Sequence, residues 1–240
     1  MHTTTTSLLF LGLCLVGLLG CDSSRAADLT PTEARWLKAA WPVLLHARDT
    51  GMPMDIVVQP QPTPGLPPMA MAFIEGRCKL VFSMRGNPEV LSSMERLPLE
   101  LFDAALQLMA AHELGHCQRH VSGAWQVLPA GRVEPPRHAG PVRGGLEARL
   151  LAELADVQAV RREEGHADLV GLAWTRLHHP ALYTRVHAWL LAERSLGRVV
   201  GSHHDTLAWV RLAAKSDQLA AGSIFAAADA LWVSGLDAEP

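Results

Sequence analysis

The 240-residue chain predicts an α+β fold, mainly helical with one small sheet or hairpin. Three observations predict it. Ala (34) and Leu (37) outnumber Val (18) and Ile (3) by 71 to 21, and β-branched residues favour strands where Ala and Leu favour helices. Two long segments, 98–121 and 146–177, carry helical patterning. Two short apolar runs, AMAFI and CKLVFSM, flank a turn at Glu75-Gly76-Arg77 and read as a β-hairpin. Hydrophobic residues make up 49% of the chain, too many for a disordered one. A net charge of −3 argues against a nucleic-acid partner held by phosphate contacts.

The elements follow in order. Residues 8–20, LLFLGLCLVGLLG, are apolar but too short to span a bilayer as a mature helix. They end in Leu18-Leu19-Gly20-Cys21, the small-residue close of a cleaved secretory signal. That ending resembles the bacterial lipobox, which implies cleavage before Cys21, acylation of Cys21 (palmitate among the chains) and anchorage on the periplasmic side of a membrane. The MHTTTTS start lacks the usual Lys or Arg, and inner and outer membrane both remain open. The expected organisation is a signal at 1–20, a lipidated tether at 21–35 and one domain at 36–240.

A helix is expected from about Pro31 to His46, and a short strand at Asp55–Val58. The proline-rich loop 59–68 and then the hairpin of 69–84 follow. Pro98 opens a helix that runs to about Val121, and 123–145 is a Gly- and Pro-rich loop. Helices follow at 146–177, 181–195, 205–215 and 217–232, the last with Ser216 as cap. Once the leader is gone and Cys21 is acylated, Cys78 and Cys117 remain, either as a disulfide or as two buried apolar side chains.

His112-Glu113-Leu114-Gly115-His116 lies within the first long helix. Residues four apart share a helical face, so both imidazoles reach one ion, and Glu113 is placed to take a proton from water activated by zinc. A third ligand is required. A metzincin would need Gly at 119 and His at 122, where Arg119 and Ser122 stand. The other route is a Glu from the second long helix, with Glu147, Glu153, Glu163 and Glu164 as candidates. Glu164 is chosen because Asp168 and Gly171 follow it on the same face. Asp168 would orient a ligating His, and Gly171 would permit close helix packing. Glu163 points about 100° away and reads as a solvated charge beside Arg161 and Arg162.

HELGH together with E-x-x-A-D-x-x-G resembles the gluzincin metallopeptidases of the HtpX, CAAX prenyl protease and BepA type, over about residues 69–215. The resemblance implies a zincin-like metallopeptidase fold and a zinc-dependent endopeptidase that acts on proteins, often in envelope quality control. It implies one Zn2+ on His112, His116 and Glu164, Glu113 as general base, and Asp168 behind a ligand. Relatives carry a His-Pro segment, often followed by Thr and Arg, after the Glu helix. Here Ser202-His203-His204-Asp205-Thr206 with Arg211 follows in order, and His179-Pro180 with Arg185 fits locally. His203 is the first choice of oxyanion donor, then His204, with His179 and Tyr183 as further candidates. His120 and His166 read as bystanders. A protein or peptide substrate would pair with residues 69–74 or 78–84 by strand addition, unless the hairpin merely packs on the helices. The rival reading is a non-catalytic zinc lipoprotein that chaperones or assembles other proteins.

Overall fold

The computed structural model describes residues 28–238 except 62, 133–145, 220 and 221. The signal segment, Cys21, most of the 123–145 loop and the side chain of Glu147 lie outside the described residues.

Helix α1 (Pro31–Asp49) begins at a capping box. Thr30 accepts from the Glu33 N–H, Glu33 accepts from the Thr30 N–H, and Pro31 fills the first helical position. Strands β1 (Met54–Pro60), β2 (Met69–Ile74) and β3 (Arg77–Arg85) form one sheet in the order β1-β3-β2. The hairpin forms as expected, with β2 antiparallel to β3, while β1 adds to the other side of β3 in parallel. Segment 78–84 is therefore the central strand and offers no free edge, and 69–74 does.

Helix α2 (Pro88–Arg96) is a helix that the sequence reading leaves out, although Asn87 caps it and Pro88 sits in its first turn. A 3-10 turn at Leu99–Leu101 leads into α3 (Phe102–Val121), which carries the HELGH segment. Next come α4 (Leu146–His178), a 3-10 turn at Pro180–Leu182, α5 (Tyr183–Ser195) and the short α6 (Leu207–Leu212). Residues Ser216–Leu219 form a 3-10 turn. The last helix, α7, spans Ile224–Gly235, and its cap is Ser223, which accepts from the Ala226 N–H. Gly222, with φ of 61°, takes a left-handed conformation just before that cap, so a helix from 217 capped by Ser216 does not form.

The core lies where α3 packs against α4, with α1 against α3 and α7 against α4. Leu106, Leu114, Leu169, Leu172 and Trp174 are all buried there, each burial worth roughly 2 kcal/mol or more. Gly171 has the predicted packing role: a Cβ there would lie 2.8 Å from the Leu108 carbonyl oxygen. The sheet rests on α3 through β2, and Cys78 of β3 is disulfide-bonded to Cys117 of α3. Both cysteines are fully buried, and the bond between them sets aside the alternative of two separate apolar side chains. Closing a separation of 39 residues is worth about 4 kcal/mol by the chain-entropy account. No described helix is long and apolar enough to cross a membrane.

Candidate metal centre

One turn of α3 separates His112 from His116, and their Nε2 atoms face each other at 3.1 Å. Helix α4 brings the Glu164 carboxylate against both, with Oε2 3.3 Å from His112 Nε2 and Oε1 3.3 Å from His116 Nε2. Ligands at tetrahedral zinc, with bonds of about 2.0–2.1 Å, stand roughly 3.3–3.4 Å apart. The spacing of these three donors matches that figure, and their chemistry suits zinc. This buried group can hold a metal ion. Glu153, a rejected candidate, is exposed.

Behind the three donors stands Asp168, fully buried on α4. Its Oδ1 is 2.9 Å from His112 Nδ1, the geometry that fixes a ligating imidazole with Nε2 forward. Asp168 also accepts from Arg194 Nε at 2.8 Å, Arg194 Nη2 at 2.6 Å and Thr206 Oγ1 at 2.6 Å. Burial alone would raise its carboxyl, but Arg194 and His112 outweigh that and hold it well below the carboxylate range. Burial would likewise raise Glu164, and His112, His116 and His204 hold it far down. For His112 burial works downward, yet Asp168 and Glu164 raise it to about 10. The arginine on Asp168 is Arg194 of α5, not Arg211, which is exposed, or Arg185, which pairs with Glu100.

Glu113 lines the same cleft, a cavity of about 430 Å³. Burial pushes its carboxyl up, the two histidines oppose this, Glu164 adds to it, and the Met71 N–H facing the carboxylate lowers it. That N–H is free to face Glu113 because of the strand register. Pro68 accepts from the Ser83 N–H, so in the β2–β3 ladder the bonded partners are Ala70 with Val81 and Ala72 with Lys79. Met69, Met71 and Phe73 then turn their backbone groups outward.

Of the oxyanion candidates, His204 reaches the site, with Nδ1 3.4 Å from Glu164 Oε2. His203 is exposed and does not line the cleft. Tyr183 donates to the Ala213 carbonyl at 2.6 Å, and His179 Nε2 lies 2.8 Å from Gln107 Oε1. Neither lines the cleft. Local spacing could not rank His203 and His204, because the irregular 196–206 segment is positioned by side-chain bonds within it and to α4. Arg198 donates to Asp205 at 2.6 Å, and Thr206 donates to Asp168.

Glu163 is not solvated: it is 1% exposed. The 100° step along α4 turns it towards the end of α3, where it accepts from Arg119 Nε at 2.9 Å and Nη2 at 2.8 Å. It also accepts from the Gln126 N–H at 2.8 Å. Gln126 has φ of 59°, a left-handed conformation that costs a non-glycine residue about 1–2 kcal/mol, and this bond helps to hold it. The preceding Trp125 stacks on His120 with centroids 3.9 Å apart and meets His116 edge-on at 5.6 Å. His120, no ligand, is thus part of the cleft wall. His166 is fully buried with Nε2 2.8 Å from Asp229 and takes no part in the cleft.

Next to Glu164, Gly165 leaves room for the Trp209 indole, which would lie 2.4 Å from a Cβ at that position. On the same indole a Cβ at Gly235 of α7 would lie 2.1 Å away. Trp209 donates from Nε1 to the Trp232 carbonyl at 3.0 Å and fixes the backbone beside the site.

No family model, curated protein or solved structure matches the chain.

Proposed function

We propose that this protein is a zinc-dependent endopeptidase of the gluzincin type, with a zincin-like domain. A lipid on Cys21 would hold it on the periplasmic side of a bacterial membrane, where it would cleave proteins, in the manner of envelope quality control. The observation that carries the reading is the placement of Glu113 in one cleft with the His112, His116 and Glu164 donor set, beside the open edge of β2. A non-catalytic zinc site has no use for that carboxylate.

Zinc bound there would supply a Lewis acid that polarises the scissile carbonyl and acidifies water. Everything else falls to the chain itself. An extended peptide pairs with the outward N–H and C=O groups of Met69 and Phe73 and with the Met71 carbonyl, while the Met71 N–H serves Glu113. Glu113, its carboxyl raised by burial, accepts the proton of the attacking water and passes it to the leaving amine. His204, at the mouth of the cleft, is the donor for the developing oxyanion. Asp168, with Arg194 and Thr206, keeps the His112 ring in register.

The test compares wild type with Glu113→Gln on unfolded casein, with zinc content measured in both. Both should hold one zinc per chain, and the variant should lose about 10²- to 10⁴-fold in cleavage. Absence of zinc from the wild type, or equal cleavage by the two, would remove the reading.

A further inference from the structure

Past His116, towards the C-terminal end of α3, the cleft changes character. The charged lining residues Glu113, Glu164, Asp168, Glu193 and Arg194 sit at the ligands or on α5. At the other end three rings stack in sequence: Phe73 on His120 at 4.9 Å, and His120 on Trp125 at 3.9 Å. They come from three separate elements, β2, α3 and the loop after α3. Trp125 is the one that needs outside support, since it belongs to a turn rather than to a helix or strand.

That support is charged and buried. Glu163 bonds the N–H of Gln126, the residue after Trp125, and Arg119 bonds both Glu163 and the Val127 carbonyl. Arg119 also lies over the Trp232 ring at 4.4 Å, so the pair is anchored to the helical body. A buried ion pair that grips the backbone at the two residues directly after one cleft-lining aromatic residue is a device for setting that residue's position.

Resting on the peptidase reading above, we propose that Trp125 walls a subsite for a bulky apolar side chain of the peptide, with Glu163 and Arg119 as its positioning residues. A branched or aromatic side chain would fill the space against the stacked rings. A carboxylate there would lose water, and no Lys or Arg lines that end of the cleft.

The test uses zinc-loaded protein and three peptide hydroxamates that differ only in the side chain next to the hydroxamate: isobutyl, methyl or carboxymethyl. Wild type should bind the isobutyl compound about 10-fold or more tighter than either other. Trp125→Ala should bring the three within about threefold, Trp125→Phe should restore the preference, and zinc stoichiometry should stay constant throughout. Glu163→Gln should also flatten the preference, whereas a merely structural role would weaken all three compounds alike. Equal binding of the three by wild type, or a preference that survives Trp125→Ala, overturns the inference and leaves the peptidase reading standing. If no hydroxamate binds the zinc-loaded wild type, the peptidase reading fails, and the inference fails with it.

Discussion

Glu163 and Glu164 are neighbours on one helix with the same side chain, and both reach across to α3. Their surroundings have opposite completeness. Glu163 receives three N–H donors from two fixed groups, Arg119 and the Gln126 backbone, so its charge is cancelled and its lone pairs are used. Glu164 faces two imidazole nitrogens that themselves converge at 3.1 Å, a donor set that can hold a cation. One carboxylate is spent on holding a loop, and the other joins a set of donors suited to an ion. Residue type is the same in both, so what separates them is 100° of helical rotation and what the fold brings to each face.

Three measurements bear on that contrast, in order of expected size. Glu163→Gln leaves Arg119 buried without its counter-charge and should cost about 3–5 kcal/mol in urea unfolding, with the response to zinc intact. Glu164→Gln should do the reverse. Wild type should gain about 2.7 kcal/mol at free zinc 100-fold above Kd, and this variant should gain almost nothing while its metal-free stability is little changed. A Glu163 variant that no longer responds to zinc, or a Glu164 variant that still does, would dissolve the distinction. The smallest effect concerns the loop that carries His204. Asp205 accepts from Arg198 and the Gly201 N–H. Burial would raise its carboxyl, but these partners hold it below the ordinary value of 3.8. The stabilisation is therefore fully present above that value and is lost as pH falls through the lower folded one. Asp205→Asn should cost about 1–2 kcal/mol at pH 7, and the difference should shrink in unfolding curves taken below pH 3.8.

The division between what sequence revealed and what it hid has the same origin. His112, His116, Glu164 and Asp168 were legible because a helix repeats every 3.6 residues and puts spaced side chains on one face. The α+β class was legible from the Ala and Leu bias and the hairpin pattern. Arg194, 26 residues beyond Asp168, was not, because its role depends on how α5 folds back over α4. Glu163 was misread for a related reason: flanking arginines suggested solvent, and its partner came from 44 residues upstream. His203 and His204 differ by one position in an irregular loop, where no period ranks them. The helix at 88–96 is a different kind of omission, since Asn87-Pro88-Glu89 is a local start signal that was there to be read.

The indole of Trp209, pressed between Gly165 and Gly235, bears on how such a molecule can change over generations. Adding one carbon at either glycine collides with the ring, and shrinking the ring opens a void between α4 and α7 beside Glu164. Each single step is harmful, while a paired step that enlarges one partner and trims the other could be neutral. The three positions therefore constrain one another, and Glu164, the candidate ligand next to Gly165, shares that constraint.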